Sequence, residues 1–565
     1  MLWKCRWDKD LSLKEIIEKN TGIPMKEFLF PKRDPEVVNL TDAAELIKDY
    51  LDSGRPVKVM ADYDCDGVMS GTILYMAFKA YSGRDIPIRF PKRFSEGYGL
   101  SMNVINETDS GLIITIDNGI AAVDQIKAAR DKGIDVVVID HHLPRKDGVL
   151  PDANIIVDPH VYHGEFDEYC GAGLGLRLAK ELIPGNPLLN KLTAFAGIAT
   201  VADVMRLVGD NRNIVKDSLN MVNNREVTFG MNILLDKLGV GYVEADDYGF
   251  QLGPVINAAG RLMDDGPDMV FDLIKLDEIP EGKTGEDIEA MAMELVRMNN
   301  KRRDLVNTFV SRAMQYAEDK DIAGSHRFAV IYDKDFHEGI NGIIAGQMAE
   351  RLKMPCITLS PSGKEGILKG SGRAFGDMNL IKVMEKCSDC FVGYGGHAGA
   401  AGLSVKEEDL ERLEKALDAA MEDVGVKKEE EDVLYYDKEI KLKDVPYYIQ
   451  DLSEYAPFGE GNPKPVFKID GYEITPKDGK YYMVMGRFQN HVKLFGNGEV
   501  SAVAFDMADR FAERVPLNID IIGNIYANVF NGNTYNQIEI LDYKENEVKK
   551  ETKQQSLLAD LLNFL

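Results

Sequence analysis

At 565 residues the chain is long enough for several domains with sizeable cores. It is 45% hydrophobic and 28% charged, holds no apolar run of about 18 residues and opens on no signal-like apolar segment, which excludes a transmembrane helix and fits a soluble globular protein. Six scattered cysteines suit a reducing cytoplasm, and a net charge of −26 argues against non-specific coating of nucleic acid while leaving room for a local basic surface.

Residues 1–40 read as a helical lead-in. A helix beginning near Thr41 and running to about residue 51 precedes the first strand. From 57 to about 157, apolar runs alternate with helix-like segments such as 70–81 and 121–132, the pattern of a parallel sheet with helices on both faces. The strands end alike. Val57-Lys58-Val59-Met60 leads into Asp62-Tyr63-Asp64-Cys65-Asp66-Gly67, and Leu112–Ile116 into Asp117-Asn118-Gly119. Val136-Val137-Val138 leads into Asp140-His141-His142, and Ile155-Ile156-Val157 into Asp158. Ligands of open α/β sheets sit outside the carboxyl ends of the strands, so four strands delivering acids there, with imidazole, describe a pocket for divalent ions.

Residues 170–240 turn helical, with Asp203 in an otherwise apolar helix over 196–203. Residues 284–318 read as one long polar helix with a narrow stripe of Met291, Leu295, Met298, Leu305 and Phe309, suited to bridging two domains. A second α/β unit follows, with strands over 328–332 and 356–360 around a helix over 340–352. Two glycine-rich segments come next, Gly370-Ser371-Gly372-Arg373 and Gly393-Tyr394-Gly395-Gly396-His397-Ala398-Gly399. Cys387 and Cys390 have ligand-like spacing, but no second pair accompanies them. The charged run over 427–432 reads as a solvated linker. Five or six short strands between 465 and 541 suggest a small barrel, OB-like among the options. In the tail, Leu557, Leu558, Leu561, Leu562 and Leu565 share one helical face, a stripe expected to pack on its own barrel.

Carboxylates with one or two imidazoles favour Mg²⁺ or Mn²⁺ and need no thiolate. A turn can aim Asp64 and Asp66 inward together, Asp117 can lie between two ions, and His141 and Asp203 would complete the second site. Two ions about 3.5–4 Å apart activate water and stabilise the leaving oxygen of a phosphoryl group. One aspartate after a strand is as readily a helix cap; the whole set, with two adjacent histidines, is not. Arg93 lies beyond a strand-like run, and Arg261 and Arg373 follow glycines. Glycine admits a phosphate close to the backbone and arginine grips it bidentately. His397 between glycines is out of place for a packed core histidine.

These motifs resemble the DHH phosphoesterase family and, within it, the RecJ exonucleases. The resemblance runs in order from about residue 25 to 543. It covers the segments at 62–67, 93–99, 117–119, 140–142 and Asp203, then Asn257-Ala258-Ala259-Gly260-Arg261-Leu262 and His337-Glu338-Gly339-Ile340-Asn341-Gly342-Ile343. Ser371-Gly372-Arg373 and Gly395-Gly396-His397 resemble the companion DHHA1 domain, and Pro457-Phe458-Gly459-Glu460-Gly461-Asn462-Pro463-Lys464-Pro465 the start of the family's OB domain. Cys65, Phe336 and the segment 491–494 depart from the family pattern without touching a proposed ligand.

The resemblance implies an α/β fold: a parallel-sheet DHH domain over 41–283, joined by a long helix over 284–320 to a smaller α/β DHHA1 domain over 321–426. An OB-like β-barrel over 427–545 and a tail over 546–565 follow. It implies a single-stranded-DNA-specific 5′→3′ exonuclease of recombination and repair, releasing mononucleotides by a two-ion Mn²⁺ or Mg²⁺ mechanism. The metal ligands would be Asp64, Asp66, Asp117, His141 and Asp203, with Asp62, Asp140 and His142 as supports or catalytic helpers. Arg93, Tyr98, Arg261, Ser371, Arg373, Gly395, Gly396 and His397 would bind substrate phosphate and DNA. Ser371 and Arg373, with Arg93 closing from the facing domain, would hold a terminal 5′ phosphate. A cytoplasmic monomer working with single-strand binding protein and a helicase is expected. The alternatives are a DHH phosphodiesterase of cyclic dinucleotides or short RNA, against which the barrel argues, and a non-catalytic DHH scaffold, against which the intact acids argue.

Overall fold

The computed structural model describes residues 1–424, 433–486, 489–496, 498, 500–512, 514–530 and 533–546. Its first sheet is five-stranded and wholly parallel, in the order Ile88–Arg89, Val57–Ala61, Leu112–Ile116, Asp135–Ile139, Ile155–Val157. The strands are nearly continuous apolar runs because both faces are covered. Val59, Ile114 and Val137 face one core, while Met60, Ile113 and Val138 face another. Ala61, Ile116, Ile139 and Val157 are Cα partners in turn, so four strands stop at one level. The chain leaves Val57–Ala61 to one side for Ile88–Arg89 and returns on the other side to Leu112–Ile116, which makes the gap between those two central strands the topological switch point.

Helices from Gly171–Leu182 to Gly266–Ile274 pack behind this sheet. The connecting helix is Gly285–Asp319, 35 residues long and opened by a capping box of Thr284 and Asp287. Its stripe divides between two cores. Ile288, Ala292, Leu295 and Met298 pack on the first domain. Val306, Phe309, Val310 and Ala313 pack with Ala329, Ile331 and Ile344 of the second α/β unit. That unit carries a mixed five-stranded sheet, ordered Gly393–Gly396, Ala400–Lys406, Ile367–Arg373, Cys356–Pro361, Ala329–Tyr332. Cys387 and Cys390 are free thiols buried in its core.

The third sheet has seven strands, and its centre is a long hairpin of Asn518–Phe530 and Asn533–Glu545. It curls on itself through a bridge between Ile474 and Gly496, enclosing Phe467, Tyr472, Val492, Leu494 and Ile538. An edge strand, Lys438–Lys441, adds to the expected set.

The lead-in departs from expectation. It opens on a strand, Leu2–Cys5, which pairs in parallel with Val433–Tyr436. The short helices after it send Leu13, Ile16, Ile17, Met25 and Phe28 into the barrel core. The first thirty residues thus pack with the barrel, while the helix Leu40–Asp52 packs with the first sheet. The charged run over 427–432 and the apolar stripe of Leu557 to Leu565 lie outside the described residues. No described helix is long and apolar enough to cross a membrane.

Candidate metal centre

Because the four strands end in register, Asp62, Asp117, Asp140 and Asp158 leave the sheet side by side. After Asp62 the chain turns sharply into the helix Cys65–Ser82, whose N-cap is Asp64; its carboxylate accepts from the Gly67 N–H at 3.1 Å. The turn needs glycine at 67, since a Cβ there would lie 2.2 Å from the Asp62 carbonyl oxygen. The Cys65 N–H donates to Asn257 Oδ1 at 2.7 Å, tying this helix start to the 257–262 segment. Asp66, just inside the helix, accepts from the Gly171 and Ala172 N–H groups at 2.6 and 2.7 Å. The N-terminus of Gly171–Leu182 thereby orients it.

Three groups of ligand atoms converge, each within 4.8 Å: Asp62, Asp64 and Asp117; Asp66, His141 and Asp203; and Asp117, His141 and His142. His141 Nε2 lies 3.0 Å from Asp117 Oδ1, 3.5 Å from Asp66 Oδ2 and 3.7 Å from Asp203 Oδ2. Asp117 and His141 join the two ends of the cluster. Asp140 stands behind it. Its Oδ1 accepts from the His141 N–H at 2.8 Å and lies 2.8 Å from His142 Nδ1, while Oδ2 accepts from the Ile120 N–H at 2.9 Å. Asp158 completes the row but not the cluster, its Oδ1 accepting from the His160 N–H at 2.8 Å. Tyr98 is exposed above the cluster, its hydroxyl 3.4 Å from both the Asp117 carbonyl and His142 Nε2.

The electrostatics are those of a site waiting for positive charge. Burial and then Asp66 push the Asp117 carboxyl well above the usual range; burial and then Asp64 do the same to Asp62. Burial and then Asp66 push Asp203 up to about 8. Asp62 Oδ1 is buried without a hydrogen-bond partner. Burial also acts on Asp140, but its bond to His142 holds it below the ordinary value. Burial lowers His142, but the bond to Asp140 and the charges of Asp140, Asp203 and Asp62 together push it up to about 9. An unpaired buried oxygen, crowded carboxylates and the His141 imidazole, which burial holds below its ordinary value, form an oxygen-rich donor set that suits Mg²⁺ or Mn²⁺.

Beside the cluster, between the first and second α/β units, lies a cavity of about 390 Å³ lined by Arg93, Arg261, Ser371, Arg373 and Gly395. Arg261 stands close enough to Asp64 to feel its charge, and burial followed by the repulsion of Arg93 lowers it to about 10. Arg93 lies over the Tyr63 ring at 4.9 Å. Ser371 and Arg373 alternate on one strand and face the same side, with Arg373 Nη1 donating to Ser371 Oγ at 2.8 Å. His397 lies exposed in the turn between two strands, its Nδ1 accepting from the Gly399 N–H, outside this lining. Gly396 shapes the same turn, where a Cβ would come 2.3 Å from the Ala400 carbonyl oxygen. Sequence reasoning overlooked two positions. A Cβ on Gly171 would stand 2.5 Å from Asp117 Cβ, and one on Gly342 would stand 2.6 Å from Arg373 Nη2. Gly342 lies in a segment whose motif was visible but whose purpose was not.

Family models match in three places: the DHH family N-terminal domain over 56–201, the DHHA1 domain over 325–423 and the RecJ OB domain over 436–542. The single-stranded-DNA-specific exonuclease RecJ of Escherichia coli is 30% identical over 66% of this chain and 67% of its own length. The chain belongs to the RecJ family. The Bacillus subtilis RecJ is also 30% identical, over 90% of this chain, though the match spans only 64% of that longer protein. The crystal structure of Thermus thermophilus RecJ in complex with Mn²⁺ superposes with a TM-score of 0.78, at 23% identity, over 97% of this chain and 80% of that one. Along the chain the three family models follow one another in the order DHH, DHHA1, RecJ OB.

Proposed function

We propose that this chain is a metal-dependent exonuclease that removes 5′-mononucleotides from single-stranded DNA, 5′→3′, in recombination and repair. The observation that carries it is the in-register row of strand ends, which sets Asp62 and Asp117 at the switch point beside an arginine-lined cavity. Asp64, Asp66, Asp117, His141 and Asp203 would hold two Mn²⁺ or Mg²⁺ ions, and Asp62 shares a converging group with Asp64 and Asp117. Bound there, such ions lower the pKa of water and offset charge on the leaving oxygen. Asp140 fixes the orientation of His142 at the rim of the cluster. Arg373, Ser371, Arg93 and Arg261 offer charge-assisted hydrogen bonds to a terminal 5′ phosphate, which sets the strand one nucleotide from the cut. The barrel supplies a second surface for the rest of the strand, a use suited to OB folds. Strands opened elsewhere call for single-strand binding protein and a helicase as partners.

Asp117→Ala tests this. Its carboxylate belongs to two of the three ligand groups, so cleavage should fall to background while binding of single strands in chelator persists. Near-normal turnover would refute the metal assignment.

A further inference from the structure

Asp203 ends the helix Leu188–Ala202, and the turn after it is both strained and gripped by the barrel domain. Val204 has φ +57°, a region where a β-branched residue is costly and which persists only when the surroundings impose it. Three residues on, the Leu207 N–H donates to the Glu460 carbonyl at 2.7 Å. Glu460 belongs to the Pro457–Asn462 loop, a family-like motif that the metal chemistry does not use. The loop fits closely around the turn: a Cβ on Gly459 would stand 2.8 Å from Leu207 Cδ1, and one on Gly461 2.9 Å from Arg206 Cβ.

Two fully buried side chains pin this loop. Asn462 Nδ2 donates to the carbonyls of Tyr455 and Pro457 at 3.0 and 2.8 Å. Arg212, on the catalytic-domain helix Gly209–Asn223, is 0% exposed. Its Nη1 donates to the Tyr455 carbonyl at 2.9 Å and its guanidinium lies over the Phe28 ring at 4.1 Å. Further bonds reach Pro457 and Glu454 at 3.4 Å. Arg212 makes no ion pair among the described residues. A desolvated cation without a counter-charge is expensive, and apolar replacements of buried charges are often neutral or stabilising. Stability alone therefore explains Arg212 poorly.

We propose that Arg212 and Asn462 are positioning residues, bracing the 455–462 loop against the 203–207 turn. The barrel domain then holds a metal ligand of the catalytic domain in place, besides gripping the strand. This rests on the reading of Asp203 as a metal ligand. The test is calorimetric titration of full-length protein with Mn²⁺ alone, on wild type, Arg212→Met, Arg212→Lys, Asn462→Ala and Asp203→Asn, with melting curves in chelator. Arg212→Met and Asn462→Ala should each weaken Mn²⁺ binding about tenfold, as loss of a ligand's support does. Arg212→Lys should recover part of the loss, and Arg212→Met should melt in chelator no lower than wild type. Wild-type affinity in Arg212→Met and Asn462→Ala, with Asp203→Asn impaired, overturns the proposal alone. Wild-type affinity in Asp203→Asn overturns the metal reading and the proposal with it. A loss of affinity matched by unfolding at the assay temperature also overturns it.

Discussion

Asp62, Asp64, Asp117 and Asp203 all hold their protons above the usual carboxylate range, Asp203 at about 8. A carboxyl whose pKa is raised by folding binds its proton more tightly in the fold than in the unfolded chain. The metal-free protein therefore loses stability as pH rises from the ordinary aspartate value of 3.8 towards 8. His142, raised to about 9, stabilises fully below its unfolded pKa of 6.5, and that contribution is lost as pH rises through 9. Both run the same way. Melting in chelator should fall between about pH 5.5 and about pH 8.5, and the rise caused by Mn²⁺ should be larger at the higher pH. An equal rise at both would contradict the picture of crowded acids. Arg373 supports a second expectation at this scale. Arg373→Ala should cost about ten- to a hundredfold on 5′-phosphorylated strands, the worth of a hydrogen bond to a charged group, and less on 5′-hydroxyl ones, measured at one salt concentration. Equal losses would reduce Arg373 to a general backbone contact. The acids were legible in the sequence because each follows an apolar run. His397 stands apart from the cavity because its glycine flanks form a tight turn between two strands.

Elements place these residues. Four parallel strands ending in register do most of it, and the helix Gly171–Leu182 comes close enough to bond Asp66. Gly171→Ala improves helix propensity but drives a Cβ against Asp117 and Asp66. It should keep the far-ultraviolet circular dichroism of wild type while weakening Mn²⁺ binding and cleavage by about an order of magnitude; unchanged Mn²⁺ affinity would contradict the close packing. The parallel strands and the connecting helix were readable from period and length. The strand Leu2–Cys5 was not, because its partner Val433–Tyr436 is remote in the chain and local pattern carries no information about distant pairing. Lys438–Lys441 was missed for a related reason: a four-residue edge strand of three charges around Ile440 looks like a solvated loop.

Across the described residues, the first thirty share one core with the barrel strands, and the arginine-lined cavity lies between the two α/β units. Removing residues 1–30 should take Leu13, Ile16, Ile17, Met25 and Phe28 from that core and lower the melting temperature of the barrel by about 15 °C or more, since each buried aliphatic or aromatic side chain is worth about 1.5–3 kcal/mol. Wild-type melting would show the lead-in to be dispensable. The order of DHH, DHHA1 and OB units was legible through the motifs. The joint between barrel and catalytic domain was not, since Arg212 resembles any helix-surface arginine until the fold buries it. A time course on single strands labelled at one end or the other tests most directly whether the protein is a metal-dependent exonuclease of fixed direction. With Mn²⁺, a 5′ label should appear at once as free mononucleotide, while a 3′ label stays on a steadily shortening strand; neither should change in chelator or on blunt duplex. Early release of the 3′ label, internal cutting, or cleavage that survives chelation would contradict the account.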